Sequence, residues 1–145
     1  VWAPQLARDR LAARLLGVGF VVISIDELVG LDELLSEPFQ FDSPLLHFGW
    51  VVPAGVLVLG LGAGFVPFLR HLPRGTAARF ILAGGLYVGG AVGMELPLGA
   101  WAAEHGDDGP GYALIDWLEE TLEIAGMTVF ACTLLPLARP AAADG

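Results

Sequence analysis

Four apolar segments, each long enough to cross a bilayer as a helix, constrain the fold of this chain more than any other feature. They cover about residues 11–31, 46–69, 80–101 and 112–137, and about 20 apolar residues suffice for one span. Only 16% of the residues are charged, against roughly 25% in soluble domains. The mean hydropathy is +0.67. We therefore predict one all-α domain over residues 1–145: a polytopic membrane protein with four transmembrane helices in an antiparallel bundle.

The first apolar segment has an alternative interpretation as a cleaved secretory signal, because arginines precede its apolar middle. However, the run continues into Ser24-Ile25-Asp26-Glu27 and contains no small-residue cleavage site. We therefore treat it as a span.

The charged residues of the connections divide into two groups by position. All seven basic residues are arginines, and they flank the bundle at one end: Arg8, Arg10, Arg14, Arg70, Arg74, Arg79 and Arg139. The other two connections carry acids and no arginine: Asp32, Glu33, Glu37, Asp42, Glu104, Asp107 and Asp108. The positive-inside rule predicts that both termini are cytoplasmic. We expect a multi-pass protein of the bacterial inner membrane, with a disordered tail over residues 140–145.

Seven carboxylates interrupt the apolar spans: Asp26, Glu27, Glu95, Asp116, Glu119, Glu120 and Glu123. With the termini inside, spans one, three and four all carry their acids in the outer half of the bilayer. The four acids of span four are spaced by 3, 4 and 7 residues, which places them along one helical face. Ionised groups in a membrane face the protein interior far more often than lipid. We predict a single carboxylate cluster inside the outer half of the bundle.

This cluster needs a counter-charge that the spans themselves do not contain. A divalent metal ion or shared protons would supply it. Two prolines support a cation, because Pro97 and Pro53 leave the carbonyls of Gly93 and Gly49 without their helical donors. Alternatively, each proline only kinks its helix and the carbonyl bonds elsewhere.

Oxygen ligands favour Mg, Ca or Mn over Fe or Zn. His47, at the outer end of span two, is a candidate nitrogen ligand that would favour Mn, Fe or Zn; its alternative role is an interfacial side chain. The single cysteine, Cys132, lies in an apolar run and is expected to be a buried, unreactive thiol.

Glycines at intervals of four mark two helix faces that allow close approach. Gly85, Gly89 and Gly93 lie on span three, and Gly60 and Gly64 lie on span two. These faces predict contacts within the bundle, in a homo-oligomer, or with a larger membrane complex. The net charge of −9 argues against nucleic acid as a partner.

Several sequence elements together resemble an uncharacterised family of small four-span bacterial membrane proteins. They are Ser24-Ile25-Asp26-Glu27, Trp50-Val51-Val52-Pro53, Gly90-Ala91-Val92-Gly93-Met94-Glu95 and Glu119-Glu120-Thr121-Leu122-Glu123-Ile124-Ala125-Gly126. The resemblance extends from about residue 16 to residue 137. In the family pattern a His-Glu pair follows the first element, whereas this chain has Asp32-Glu33, which disfavours a nitrogen-rich metal site. The resemblance implies four spans and singles out the acids, but it implies no activity.

Three functions remain open at this point. The first is a membrane protein that binds a cation or protons at the carboxylates, for transport, sensing or structure. The second is an accessory subunit of a larger membrane complex. The third, an intramembrane metal-dependent enzyme, is the least favoured, because the chain has no nucleophile motif, cofactor fingerprint or His-rich metal motif. Ser24 and Thr121 are the only Ser or Thr hydroxyls near the acids.

Overall fold

The computed structural model describes residues 11, 12, 14–22, 25 and 49–138, and all regular structure in this part of the chain is helical. Residues 11, 12 and 14–22 form the N-terminal helical segment. Four further helices follow: α1 (Val51–His71), α2 (Arg74–Val88), α3 (Glu95–His105) and α4 (Pro110–Ala138). A π-helical segment, Gly89–Met94, joins α2 to α3. Together they form one continuous 32-residue helix, Arg74–His105.

Proline and glycine set the two breaks between the long helices. Pro73 ends the α1–α2 connection, and Leu72 before it is extended at φ −81° and ψ 154°, as a residue before proline prefers. The second connection contains Gly106 and Gly109, with φ of 83° and 122°, a conformation that glycine adopts readily. Pro110 then begins α4, where its missing N–H removes no helical bond.

Trp101 contacts both ends of the connection between α3 and α4. Its ring stacks on His105 with centroids 4.4 Å apart and lies so close to Gly111 that a side chain there would require the ring to shift. The end of α3 and the start of α4 are therefore held side by side.

Helices α2 and α4 form the most extensive packing in the described part of the chain. A Cβ on Gly126 would lie 2.7 Å from both the carbonyl oxygen of Ala83 and the amide nitrogen of Tyr87. Ala83 is correspondingly buried. This is backbone-to-backbone contact between helices, of the kind that small residues permit in membranes.

Aromatic rings connect four helical segments near the α1–α2 connection. Phe130 of α4 contacts Phe20 and Phe80, at centroid distances of 4.7 Å and 5.2 Å. Phe80 in turn contacts Phe68 of α1 at 6.3 Å. We call these four residues the aromatic cluster. The N-terminal helical segment, α1, α2 and α4 therefore converge at the end of the molecule that carries Arg70 and Arg74.

Two helices are long and apolar enough to cross a membrane: Val51–His71 and Arg74–His105. Only 6% of the apolar window of α1 is buried within the protein, and 22% of the window of the longer helix. Leu59, for example, is 75% exposed. The apolar surface of both helices therefore faces outward, unlike that of a helix in a soluble core.

The first predicted span is described only over part of its length, and the predicted tail over residues 140–145 lies outside the described residues. One expectation is wrong. Cys132 is exposed on α4, whereas its apolar neighbours suggested a buried thiol. Helix α4 carries apolar residues on its exposed side too, among them Ile124 and Leu135, so hydropathy alone does not distinguish its packed side from its exposed side.

Candidate carboxylate site

Glu95 is the most buried carboxylate in the described part of the chain. Its side chain is only 7% exposed, and its Oε2 atom is fully shielded from solvent. It begins α3, immediately after the π-helical segment. No basic residue occurs between Arg79 and His105, so no cation on its own helix lies close to it.

The four acids of α4 divide into an inner and an outer pair. Glu119 and Glu123 are half-buried, whereas Asp116 and Glu120 are exposed. At about 100° per residue the four positions cover an arc of about 100°, and only one edge of this arc faces the neighbouring helix. The spacing predicted a common face for all four acids, and the structure buries one side of that face.

Gly90 is the residue that brings the inner pair close to the helix of Glu95. A Cβ at this position would lie 2.8 Å from the carbonyl oxygen of Glu119 and 2.8 Å from Cγ of Glu123. Gly90 itself is buried. The π-helical segment and α4 are therefore in contact at the level of Glu119 and Glu123, one helical turn before Glu95.

The π-helical segment has a local cause in the sequence. Three of its six residues are glycines, which tolerate unusual backbone geometry. Pro97 follows three residues later and has no N–H to continue the α-helical bonding pattern. Single π turns of this type are frequent at functional sites.

Tyr112 belongs to the same neighbourhood. Its phenol is within electrostatic range of Asp116, Glu95, Asp107 and Glu119. Carboxylates of α3, α4 and the connection between them therefore all act electrostatically on one hydroxyl near the start of α4.

The structure packs Glu119 and Glu123 of α4 against Gly90, five residues before the buried Glu95, and Tyr112 lies within electrostatic range of Glu95 and Glu119. The structure places Asp116 and Glu120 at the exposed edge. Asp26, Glu27 and His47 lie outside the described residues. Within the described residues, no three His, Cys, Asp or Glu side chains are arranged to hold a metal ion. The predicted metal site stays a prediction.

Two of the sequence expectations about backbone and hydroxyl groups have a structural outcome. The carbonyl of Gly49, which Pro53 leaves without its helical donor, accepts a hydrogen bond from the N–H of Val52 at 3.4 Å. This carbonyl therefore bonds within the chain, which was the alternative to a cation. The Thr121 hydroxyl donates to the carbonyl of Trp117 at 2.8 Å. It is therefore committed to its own helix, and a role as a nucleophile gains no support.

Within the described residues, the close helix contacts do not occur at the glycines spaced by four; contacts of those glycines with a second copy or a larger complex stay a prediction. A Cβ on Gly85 or Gly89 would meet no described atom within 4 Å. Gly90 and Gly126 carry the contact instead. Both glycines lie inside the sequence elements that carry the family resemblance. Each is within five residues of a buried or half-buried acid. This proximity to an acid was the sequence signal that could have predicted the contacts.

No curated protein and no solved structure matches this chain. A family model described as "Domain of unknown function (DUF8692)" matches residues 2–137. The chain therefore belongs to the DUF8692 family.

Proposed function

We propose that this protein is a four-span protein of the bacterial inner membrane, with both termini cytoplasmic, that binds a cation at its carboxylate cluster. The cation is a divalent metal, with Mg, Ca or Mn preferred, or shared protons. Its central candidate ligands are Glu95, Glu119 and Glu123, the least exposed of the described acids. The observation that carries the proposal is the burial of Glu95, 7% exposed, in a helix apolar enough to cross a membrane.

The outward apolar surface supports the membrane location. Large apolar side chains are exposed on α1, α2 and α4, among them Leu59, Ile81 and Ile124. Soluble monomers rarely expose contiguous apolar patches above a few hundred Å². A lipid environment makes this surface favourable.

The separation of charge along one helix supports the orientation. At a rise of about 1.5 Å per residue, Arg79 and Glu104 lie about 38 Å apart along the helix axis. This distance exceeds the roughly 30 Å of a bilayer core. Arginines and acids therefore occupy opposite interfaces if the helix spans, with the arginines in the cytoplasm by the positive-inside rule.

The energetics of Glu95 support a bound cation. The insertion of one acid at the centre of a span costs roughly 2.5–3.5 kcal/mol. Glu119 and Glu123 of α4 lie against Gly90 of the same continuous helix, and no basic residue occurs between His105 and Arg139. A metal ion or shared protons relieve both the desolvation and the mutual repulsion. Asp26, Glu27, Asp116, Glu120 and His47 complete the set of candidate ligands.

Elemental analysis of the detergent-purified protein tests the metal. We expect one divalent metal to copurify with the wild-type protein, to be lost in Glu95→Gln and to be retained in Glu104→Gln. The second variant removes an exposed acid of the same helix, so it controls for net charge. Retention of the metal in Glu95→Gln refutes the site.

Infrared spectroscopy tests the proton alternative. If no metal binds at any pH, a protonated carboxyl band at neutral pH that disappears in Glu95→Gln supports proton sharing. Absence of both the metal and this band rejects the proposed function.

The orientation has its own test, because the chain contains a single cysteine. In a Cys132→Ser background, a cysteine at Arg74 and a cysteine at Asp108 are expected to react with a membrane-impermeant maleimide from opposite sides of an inner-membrane vesicle. Labelling of both from the same side contradicts the proposed topology.

An accessory subunit of a larger complex is the second candidate function. Its specific support is the open glycine face of two helices: a Cβ on Gly60, Gly64 or Gly85 would meet no described atom within 4 Å. A helix of a partner or of a second copy could approach there. Copurification of a partner at fixed stoichiometry would favour this function, whereas a monodisperse homo-oligomer would weaken it.

A further inference from the structure

The α1–α2 connection carries a concentration of positive charge on an otherwise acidic chain. Arg70 and His71 end α1, Arg74 begins α2, and Arg79 follows one and a half turns later. The three arginines are exposed. We call Arg70, Arg74 and Arg79 the arginine end.

No carboxylate neutralises the arginine end within the described part of the chain. The sequence contains no Asp or Glu between Asp42 and Glu95. None of the three guanidiniums forms an ion pair with a described residue. The first turn of α2 contains no acid, and its N-cap residue Pro73 contributes no side-chain hydrogen bond. An anion could therefore approach these side chains without displacing a described carboxylate.

Exposed apolar side chains lie directly beside the arginines. Val66 precedes Arg70 on α1, and Ile81 and Leu82 follow Arg79 on α2; all three are exposed. Ile81 is seven residues beyond Arg74, about 10 Å along the axis. A charged surface and an apolar surface therefore meet at this end of two adjacent helices.

We propose that the arginine end binds the headgroup phosphate of an anionic phospholipid, whose acyl chains lie along Val66, Ile81 and Leu82. Guanidinium groups match phosphate oxygens through paired N–H donors. Basic surfaces at the cytoplasmic interface are known to recognise anionic headgroups. This inference rests on the membrane location in the proposed function, but it is independent of the cation site.

The apolar surface is the reason to choose a lipid over a soluble phosphate. A free phosphate ion would use the guanidiniums alone and would leave the neighbouring side chains without a role. A nucleic acid is disfavoured by the net charge of −9. Only an amphiphile fits both parts of the surface.

Binding of phosphatidylglycerol to the full chain tests the inference. The purified protein is titrated in neutral detergent with phosphatidylglycerol or phosphatidylcholine, with native mass spectrometry to count bound lipid. An arginine near an anionic surface strengthens binding by roughly fivefold. We expect the triple variant R70Q/R74Q/R79Q to bind phosphatidylglycerol on the order of 100-fold more weakly, with phosphatidylcholine binding unchanged.

A matched control changes the same number of charges at the opposite end. E104Q/D107N/D108N is expected to bind phosphatidylglycerol as the wild-type protein does. Equal binding of both lipids by the wild-type protein, or competition by inorganic phosphate at concentrations comparable to the lipid, would overturn the inference. Vesicle flotation of each variant separates the two proposals: a chain that does not float refutes the membrane location, whereas a floating chain without lipid preference refutes only the lipid site.

Discussion

Substitution of Gly90 by alanine is the sharpest test of how the carboxylate site is built. The new methyl group would meet three atoms of α4: the Glu119 carbonyl oxygen and Glu123 Cγ at 2.8 Å, and the Glu123 amide nitrogen at 3.2 Å. Two of these are backbone atoms, which cannot rotate away. Ordinary van der Waals contact begins near 3.4 Å, so the helices must separate by several tenths of an ångström.

The expected change in the free energy of unfolding combines two opposing effects. Overpacking of this kind costs roughly 1–3 kcal/mol. Alanine is more favourable than glycine in a helix by about 1 kcal/mol, which offsets part of that cost. A control variant with the same propensity gain and no new contact isolates the contact itself.

Gly85→Ala is that control. Gly85 lies on α2, five residues before Gly90, and its Cβ would meet no described atom within 4 Å. We expect Gly90→Ala to be less stable than Gly85→Ala by roughly 1–3 kcal/mol. Circular dichroism of thermal or denaturant unfolding in detergent micelles measures the difference. The metal content or the carboxyl infrared band of Gly90→Ala should change as well, because Glu123 shares the contact.

Equal stability of the two alanine variants would refute the reasoning. It would mean that α4 does not approach the π-helical segment as closely as the structure places it. If Gly90→Ala loses stability while its metal content and carboxyl infrared band stay unchanged, the helix contact is supported. Its role in the carboxylate site is then refuted.

Three further predictions concern residues of α4: two test its packing and one tests its exposure to lipid. Gly126→Ala places a methyl group 2.7 Å from two backbone atoms of α2 and should lower the free energy of unfolding by roughly 1–3 kcal/mol. The double variant with Gly90→Ala should lose less than the sum of the two single losses, because one helix separation relieves both clashes. Additive losses would contradict this prediction. Phe130→Ala loses two ring contacts worth about 0.5–1.5 kcal/mol each, whereas the exposed Leu135→Ala should stay within about 0.5 kcal/mol of wild type; equal losses in unfolding experiments would count against the aromatic cluster. Trp117 is exposed, so a variant with Trp117 as its single tryptophan should be quenched by brominated lipids in vesicles, and unquenched fluorescence would place it away from lipid.

Sequence alone predicted the helical class, because long apolar runs separated by Pro73 and by Gly106 and Gly109 leave few alternatives. It also named Glu95 as one of seven acids that interrupt the apolar runs. Both features depend on composition over many residues, which a single sequence carries directly. The π-helical segment was not predicted, since six residues with three glycines have no periodic signal of their own.

The facing of individual residues could be predicted only in part. The spacing of the α4 acids defines a common face, but the choice between its two edges depends on where the neighbouring helix lies. The structure selects Glu119 and Glu123. For Cys132 the prediction of burial was wrong for a similar reason, because α4 carries apolar residues on its exposed side as well, among them Ile124 and Leu135.

The aromatic cluster has a consequence for the sidedness of ion exchange. The rings of the aromatic cluster pack together near Arg70 and Arg74, with Phe80 about 22 Å along the helix from Glu95, whereas the connection after His105 begins only about 15 Å beyond Glu95. The shorter path ends among glycines and acids, which attract cations and fill little space. If the proposed cation site and orientation hold, we expect its occupancy in oriented vesicles to follow the cation concentration of the extracytoplasmic compartment alone.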